Sequence, residues 1–144
     1  MKKILTLSFI AFLIFSACDT KKAQGDNENY NTQNFDEPFK LNSSKGVKMK
    51  DDDLKISFVA VKEDSRCPEG TTCVWEGQVK VLLKIESGEK STDIEIEKKG
   101  KSTEASLGNT ENYQILLLEV NPYPKEEQKL KLEDYNLTLA VQRK

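Results

Sequence analysis

Hydrophobic and polar side chains alternate with a period of two through most of the chain that follows residue 53. One face of the segment LKISFVAV carries Leu54, Ile56, Phe58 and Ala60, and the alternation recurs in QVKVLLKIE, in STDIEIEKKG and in YNLTLAV. The segment YQILLLEV is apolar on both of its faces. Because successive side chains of a β-strand point to opposite faces, the pattern predicts strands that bury one face and expose the other.

Turn signals separate these segments. Glycine or an Asn-Pro pair occurs in SGEK, KKGKS, LGNT and NPYPK, where glycine supplies positive φ and proline ends a ladder. Two shorter candidate strands, FKL and GVKM, lie closer to the N-terminus. The total of about seven strands predicts an all-β domain, an antiparallel β-sandwich of the immunoglobulin-like (Ig-like) kind, with a small β-barrel as the runner-up.

The first 17 residues have the features of a signal peptide. Two lysines precede an apolar run over residues 4–15, which is shorter than the roughly 20 residues of a helix that spans a bilayer. The run leads into FSAC, which resembles a bacterial lipobox with Cys18 as the lipidated residue. The alternative is an ordinary secretory peptide in which Cys18 is incidental. We expect lipidation, which would hold the protein on a membrane through its acyl chains.

Composition divides the rest of the chain into a tether and one domain. Residues 18–38 are polar, rich in asparagine and nearly free of aliphatic side chains, which predicts a disordered tether behind the lipidated cysteine. Residues 39–144 form the predicted β-sandwich domain. We therefore expect a protein of the bacterial cell envelope, lipid-anchored to the outer rather than the inner membrane, with its domain in the periplasm or at the cell surface.

Charge and composition argue against several classes of function. Without Lys2 and Lys3, which would leave with the signal peptide, 20 basic residues remain against 24 acidic ones, and this balance argues against a nucleic acid partner. The chain contains no histidine, the commonest general base and a frequent zinc ligand. Nucleotide-binding and metalloprotease motifs do not occur. The sequence therefore predicts no catalytic residue, no metal site and no cofactor.

The segment DSRCPEGTTCVWEG holds two of the three cysteines and the single tryptophan. In an oxidising envelope, Cys67 and Cys73 are expected to form a structural disulfide. The alternatives are a redox-active pair, which usually has two intervening residues, and a free or metal-bound pair.

The residues around this pair form the candidate binding loop. Asp64 and Arg66 are expected to pin the entrance of the loop, with a polar recognition patch as the alternative. Trp75 is expected to cover the disulfide or to close one end of the core, with exposure as a ligand platform as the alternative. The complete candidate loop consists of Asp64, Arg66, Glu69, Thr71, Thr72 and Trp75.

The pattern D-S-R-C-P-x4-C-x-W-x-G, together with EVNPYPK and EDYNLTLAV, resembles a family of small, uncharacterised lipoproteins of the kind found in Bacteroidetes. The resemblance covers most of residues 39–144. It implies a recurrent module of the cell envelope, and it carries no functional residue over to this chain.

Two functions are favoured on the sequence alone, ahead of a hydrolytic enzyme that would use only Asp and Glu and of a purely structural role in the envelope. The first is a noncatalytic, lipid-anchored binding module for an envelope protein, a glycan or a small ligand, bound through the loops at one end of the sandwich. The second is a protease inhibitor or immunity protein that inserts the stapled loop 67–73 into its target, where preorganisation would favour affinity. Packing of residues 69–72 against the sandwich would exclude the second function.

Overall fold

The computed structural model describes residues 29–144. The expected signal peptide of residues 1–17, the lipidated Cys18 and the first part of the tether lie outside the described residues. The described chain forms one sheet of five strands and one of four. In chain order the elements are β1 Tyr30–Gln33, β2 Phe39–Asn42, β3 Gly46–Met49, β4 Leu54–Asp64, β5 Gln78–Ser87, β6 Lys90–Lys99, β7 Ser106–Asn109, β8 Tyr113–Asn121, a 3-10 turn Leu132–Asp134 and β9 Asn136–Arg143.

The predicted all-β sandwich is confirmed. The first sheet has the strand order β1-β3-β4-β5-β6 and the second has the order β2-β9-β8-β7. The two sheets stay separate rather than closing on one another, so the runner-up, a small barrel, is not the fold. Within the described residues, β1 pairs in parallel with β3, and all the other neighbouring strands pair antiparallel.

The alternating positions form the core between the two sheets. On β5 the face predicted to be apolar is buried throughout, whereas the intervening positions are partly or fully exposed. On β4 the alternation is interrupted after Phe58, where a register shift against β5 leaves Ala60 half-buried. The largest fully buried side chains are Leu41, Met49, Leu54, Ile56, Leu83, Ile96, Ile115, Leu117, Leu137, Leu139, Val47 and Val79.

The fold begins earlier than the predicted domain boundary at residue 39. Strand β1 lies within the segment that we expected to be a disordered tether, and it pairs residue by residue with β3. The ring of Tyr30 packs directly over Gly46, and its hydroxyl donates a hydrogen bond to Glu86 at 3.3 Å. Composition gave no sign of this strand because backbone pairing and a single aromatic ring hold it, not a buried apolar face.

Three long connections meet at one end of the sandwich, which we call the loop end. They are the β4–β5 loop of residues 65–77, the β6–β7 loop of residues 100–105 and the β8–β9 loop of residues 122–135. The opposite end has tight turns, including the two-residue hairpin between β5 and β6 that the sequence predicted at SGEK. Among residues 29–144, no helix has the length and the apolar run that crossing a membrane would require.

Strand β7 is too short to cover the whole edge of β8. It pairs with residues 114–117 of β8, whereas β8 continues to Asn121. The last residues of β8 therefore reach the loop end without a partner strand on that side.

Candidate binding site at the loop end

Arg66 connects the β4–β5 loop to the end of β8. Its guanidinium forms a bidentate pair with Asp64, donating from Nε to Oδ1 at 2.8 Å and from Nη2 to Oδ2 at 2.6 Å. Nη1 donates to the carbonyl oxygen of Val120 at 2.6 Å, and Nη2 donates to that of Pro122 at 3.0 Å. Charged hydrogen bonds of this kind are the strong ones, because the donor is ionised and the geometry is fixed.

Two tyrosines complete the surroundings of this ion pair. The hydroxyl of Tyr135 donates to Asp64 Oδ2 at 3.0 Å, and the guanidinium of Arg66 lies 4.8 Å from the ring centre of Tyr123. Burial, and then the negative charge of Asp64, raise the pKa of Tyr135 to about 12. The tyrosine therefore remains a neutral donor to the carboxylate at physiological pH.

The Asp64–Arg66 pair pins the loop from within. Only 3% of the Arg66 side chain and 10% of the Asp64 side chain are exposed. Since four of the five guanidinium N–H groups can be assigned to internal acceptors, these two residues hold the loop in place and offer a ligand little polar surface. The geometry matches the pinning role and not the alternative of a recognition patch.

The predicted disulfide between Cys67 and Cys73 is confirmed. Within the ring that it closes, the amide of Thr71 donates to the carbonyl of Pro68 at 3.2 Å, and Gly70 occupies the positive-φ position of that turn with φ of 85°. The amide of Glu69 donates to the carbonyl of Pro124 at 2.9 Å. The loop is thus attached to the β8–β9 loop as well as to its own strands.

The outward side of the stapled loop is open to solvent. Glu69, Thr71 and Thr72 are exposed, so the structure does not show the packing that would exclude insertion into a target. Val74 is fully exposed, and Trp75 has 62% of its surface exposed. The expectation that Trp75 covers the disulfide or closes the core is wrong, and the alternative of an exposed ring describes its position.

Two glycines allow the chain to approach itself closely next to Trp75, where the segments around residues 65, 77 and 100 meet. Gly77 has φ of 70°, and a Cβ there would overlap the carbonyl group of Ser65. A Cβ on Gly100 would overlap the carbonyl oxygen of Glu76. The amide of Gly100 donates to the carbonyl of Gly77 at 2.9 Å, which joins the β6–β7 loop to the β4–β5 loop.

Two grooves open on either side of residues 101–103. The first, of about 790 Å³, is the arginine groove, and it runs along the unpaired end of β8. Its walls include Arg66, Glu69, Lys98, Leu118, Asn121 and Tyr123. The second, of about 640 Å³, is the tryptophan groove. It is lined by Trp75, Glu76, Gly77, Gln78, Lys99, Lys101, Ser102, Thr103 and Glu104.

Lys98 fixes the position of the segment between the grooves. Its ammonium group donates to the carbonyl of Ser102 at 3.0 Å and to that of Glu104 at 2.8 Å. Burial lowers the pKa of Lys98, against the opposing effect of Glu119 and Glu104. Sequence reasoning missed this lysine, because KKGKS is typical of an exposed turn.

The arginine groove also contains a polar atom that has no partner. The hydroxyl of Tyr123 is buried and lacks a hydrogen-bond partner among the described residues. Burial raises the pKa of Tyr123, so this group stays neutral. Residues 29–144 bring together no group of three side chains of the kinds that hold a metal ion.

Comparison with other proteins identifies no relative: no family model, curated protein or solved structure matches this chain. The function must therefore be argued from the chemistry of the loop end.

Proposed function

We propose that the protein is a noncatalytic, lipid-anchored binding module of the bacterial cell envelope, and that it engages its partner through the loop end. The observation that carries the proposal is the exposure of Val74 and Trp75, neighbours in sequence, on a loop that a disulfide and hydrogen bonds join to the rest of the fold. The lipobox-like FSAC and the resemblance to small envelope lipoproteins support the location.

The physical argument rests on where this apolar surface lies. Tryptophan is enriched at binding hot spots, since its large ring gains much from desolvation. Here the ring belongs to a loop fixed by the Cys67–Cys73 disulfide, by the Arg66 contacts and by the hydrogen bond between Gly77 and Gly100. A partner would therefore meet a surface that loses little conformational entropy on binding.

The proposal is tested by site-specific photocrosslinking of the full chain in the bacterium that produces it. A benzophenone amino acid at position 74 should give a discrete crosslinked product. The matched control is the same amino acid at Glu89, which is exposed in the hairpin at the opposite end. Crosslinking at position 89 alone, or none at either position 74 or Thr103, which lines both grooves, would contradict binding at the loop end.

A protease inhibitor or immunity protein is the second candidate, and the exposure of residues 69–72 supports it. In that case the turn over Pro68–Thr71 would enter the target, and Trp75 would contact the rim. Substitution of Glu69 and Thr71 by Ala would then abolish inhibition of the target enzyme. If Glu69→Ala and Thr71→Ala keep full binding of the target while Trp75→Ala loses it, the turn over residues 68–71 does not enter the target.

A further inference from the structure

We infer that the tryptophan groove binds an uncharged oligosaccharide, an inference that rests on the proposed role of the loop end in binding. The groove combines one exposed aromatic wall with a lining that is otherwise polar. A sugar has a matching division of its surface, because its ring C–H groups form apolar faces and its hydroxyl groups lie at the edge.

Trp75 supplies the aromatic wall. The residue has 62% of its surface exposed, so a flat ligand can cover it without any movement of the core. The electron-rich face of an indole attracts weakly positive hydrogens, which is the reason that aromatic rings pack edge against face. The axial C–H groups of a pyranose present such hydrogens to a ring that they cover.

The remaining lining provides hydrogen-bond donors and acceptors at the edge of the ring. Gln78, Ser102 and Thr103 carry neutral amide and hydroxyl groups that can both donate and accept, as sugar hydroxyls also do. The charged residues balance, with Glu76 and Glu104 against Lys99 and Lys101. A neutral polyhydroxyl ligand fits this balance, whereas a strongly charged ligand would lie close to groups of its own sign.

The composition of the groove argues against two other occupants. A protein interface has an apolar centre that is depleted of charged residues, and here Trp75 is the single large apolar side chain of the lining. An anionic membrane surface favours a cluster of basic residues, and this lining has as many acidic as basic side chains. Val74 does not line the groove.

The walls of the groove are joined to each other before any ligand arrives. The Gly100–Gly77 hydrogen bond connects its two sides, and Lys98 holds the carbonyls of Ser102 and Glu104 from behind. Its volume of about 640 Å³ lies within the range of about 300–1,000 Å³ that is typical of small-ligand sites. The dimensions suit a short oligosaccharide, held at low entropic cost.

The inference can be tested by fluorescence, because Trp75 is the single tryptophan of the chain. The chain from Asp19 onward contains every strand of the two described sheets and is the form used. It is titrated with cello-, xylo-, manno-, malto- and chito-tetraose up to about 10 mM, which detects dissociation constants near 1 mM. At least one of these sugars should change the Trp75 emission saturably, with an affinity that does not depend on salt.

Variants locate the site. By calorimetry, Trp75→Ala should weaken binding at least tenfold, and Gln78→Ala and Ser102→Ala should weaken it less. Leu107→Ala is the matched control, since Leu107 is also an exposed apolar residue but lies on β7 outside the groove, and its affinity should be unchanged. Equal binding by Trp75→Ala would overturn the inference.

Failure of the inference is distinguishable from failure of the proposed function. If none of the five sugars binds while position 74 still crosslinks to a protein, the loop end is a binding surface but not for a neutral glycan. If vesicles of phosphatidylethanolamine and phosphatidylglycerol, and no sugar, shift the Trp75 emission to shorter wavelength, the occupant is a membrane surface and the inference is wrong.

Discussion

Arg66 places a positive charge inside a small β-sandwich, and its neighbours explain how the fold tolerates that charge. A buried ion is costly unless it is paired and its donors are satisfied. Here one carboxylate and two carbonyl oxygens accept from the guanidinium, and a tyrosine ring covers one of its faces. A lysine at this position could not bond to the carboxylate and both carbonyl oxygens in the same way, because its three N–H donors all diverge from a single nitrogen.

Replacing Arg66 by Met should destabilise the protein by about 3–5 kcal/mol, since it leaves the Asp64 carboxylate buried without its partner. Urea unfolding provides the measurement. Arg143→Met is the matched control: it breaks an Arg–Asp pair with Asp52, but more than half of the Arg143 side chain is exposed. The Arg143→Met variant should lose less than about 1 kcal/mol in its free energy of unfolding. Equal losses in the two variants would show that the buried network contributes no more than a surface pair.

Tyr135 should make the stability of the protein depend on alkaline pH. Its pKa is raised from 10.0 to about 12, first by burial and then by Asp64, with Arg66 acting in the opposite direction. The folded state therefore holds this proton more tightly than the unfolded state. The stabilisation is complete below pH 10 and is lost as the pH rises towards 12.

The measurement compares urea midpoints of the wild type and of Tyr135→Phe across this alkaline range. The wild type should lose more stability than the variant, which cannot ionise at this position. Ultraviolet titration of the phenolate would check the pKa directly. Parallel pH profiles for the two proteins would contradict the assignment.

At the scale of single residues, the sequence predicted which side chains pair with each other better than it predicted which side chains are exposed to solvent. Asp64 and Arg66 could be recognised as a pinning pair, because a carboxylate and a guanidinium two residues apart in an extended chain share one face. The exposure of Trp75 could not be predicted in this way. Residues 65–77 form a loop and not a strand, so the alternation of side-chain directions that holds in an extended chain does not apply at Trp75.

The β4–β5 loop is an element in its own right, with a covalent ring and several backbone hydrogen bonds. Replacing both Cys67 and Cys73 by Ser should lower stability by about 2 kcal/mol, as expected for a closed ring of this length. In the most protected amides of β5 and β9, hydrogen exchange should accelerate by about 30-fold, the factor that a global loss of about 2 kcal/mol implies. In residues 68–75 the acceleration should be larger, because the loop also opens locally. An acceleration of residues 68–75 no larger than that of the two strands would contradict a local role for the disulfide.

The meeting of the β4–β5 and β6–β7 loops depends on Gly77. Gly77→Ala combines a left-handed backbone with a collision against Ser65, whereas Gly88→Ala, in the β5–β6 hairpin, has a left-handed backbone and open space around it. The Gly88 variant should lose about 1–2 kcal/mol. The Gly77 variant should lose about 1–3 kcal/mol more, because the added methyl group is overpacked. Similar thermal unfolding midpoints for both variants would exclude the collision.

At the scale of elements, alternation predicted the long strands that bury one face and the short edge strand β2, and it missed the short edge strands β1 and β7. β4, β5 and β9 bury the faces that their patterns indicated, apart from the shift at Ala60. β1 and β7 have four residues each and lie at the edges of their sheets. Unlike β2, which buries Phe39 and Leu41, these two strands bury no large apolar side chain, so backbone pairing holds them and leaves little trace in the order of side chains.

For the whole molecule, the sequence was sufficient for the sandwich and for the disulfide, but not for the grooves. The sandwich follows from the period of the pattern, which each strand carries within itself. The grooves depend on the way three loops from distant parts of the chain come together, and on buried contacts such as those of Lys98. No single segment contains that information.

The contacts of Arg66 also bear on self-association. Because β7 ends opposite Leu117, the rest of β8 is an open sheet edge of the kind that recruits foreign strands and leads to aggregation. The guanidinium donates to the carbonyl of Val120 in this part of β8, and to that of Pro122 just beyond the strand, and so competes for acceptors that an incoming strand would use. Loss of Arg66 would leave the carbonyl of Val120 free to accept from an added strand, so Arg66→Met should self-associate more than the wild type in analytical ultracentrifugation.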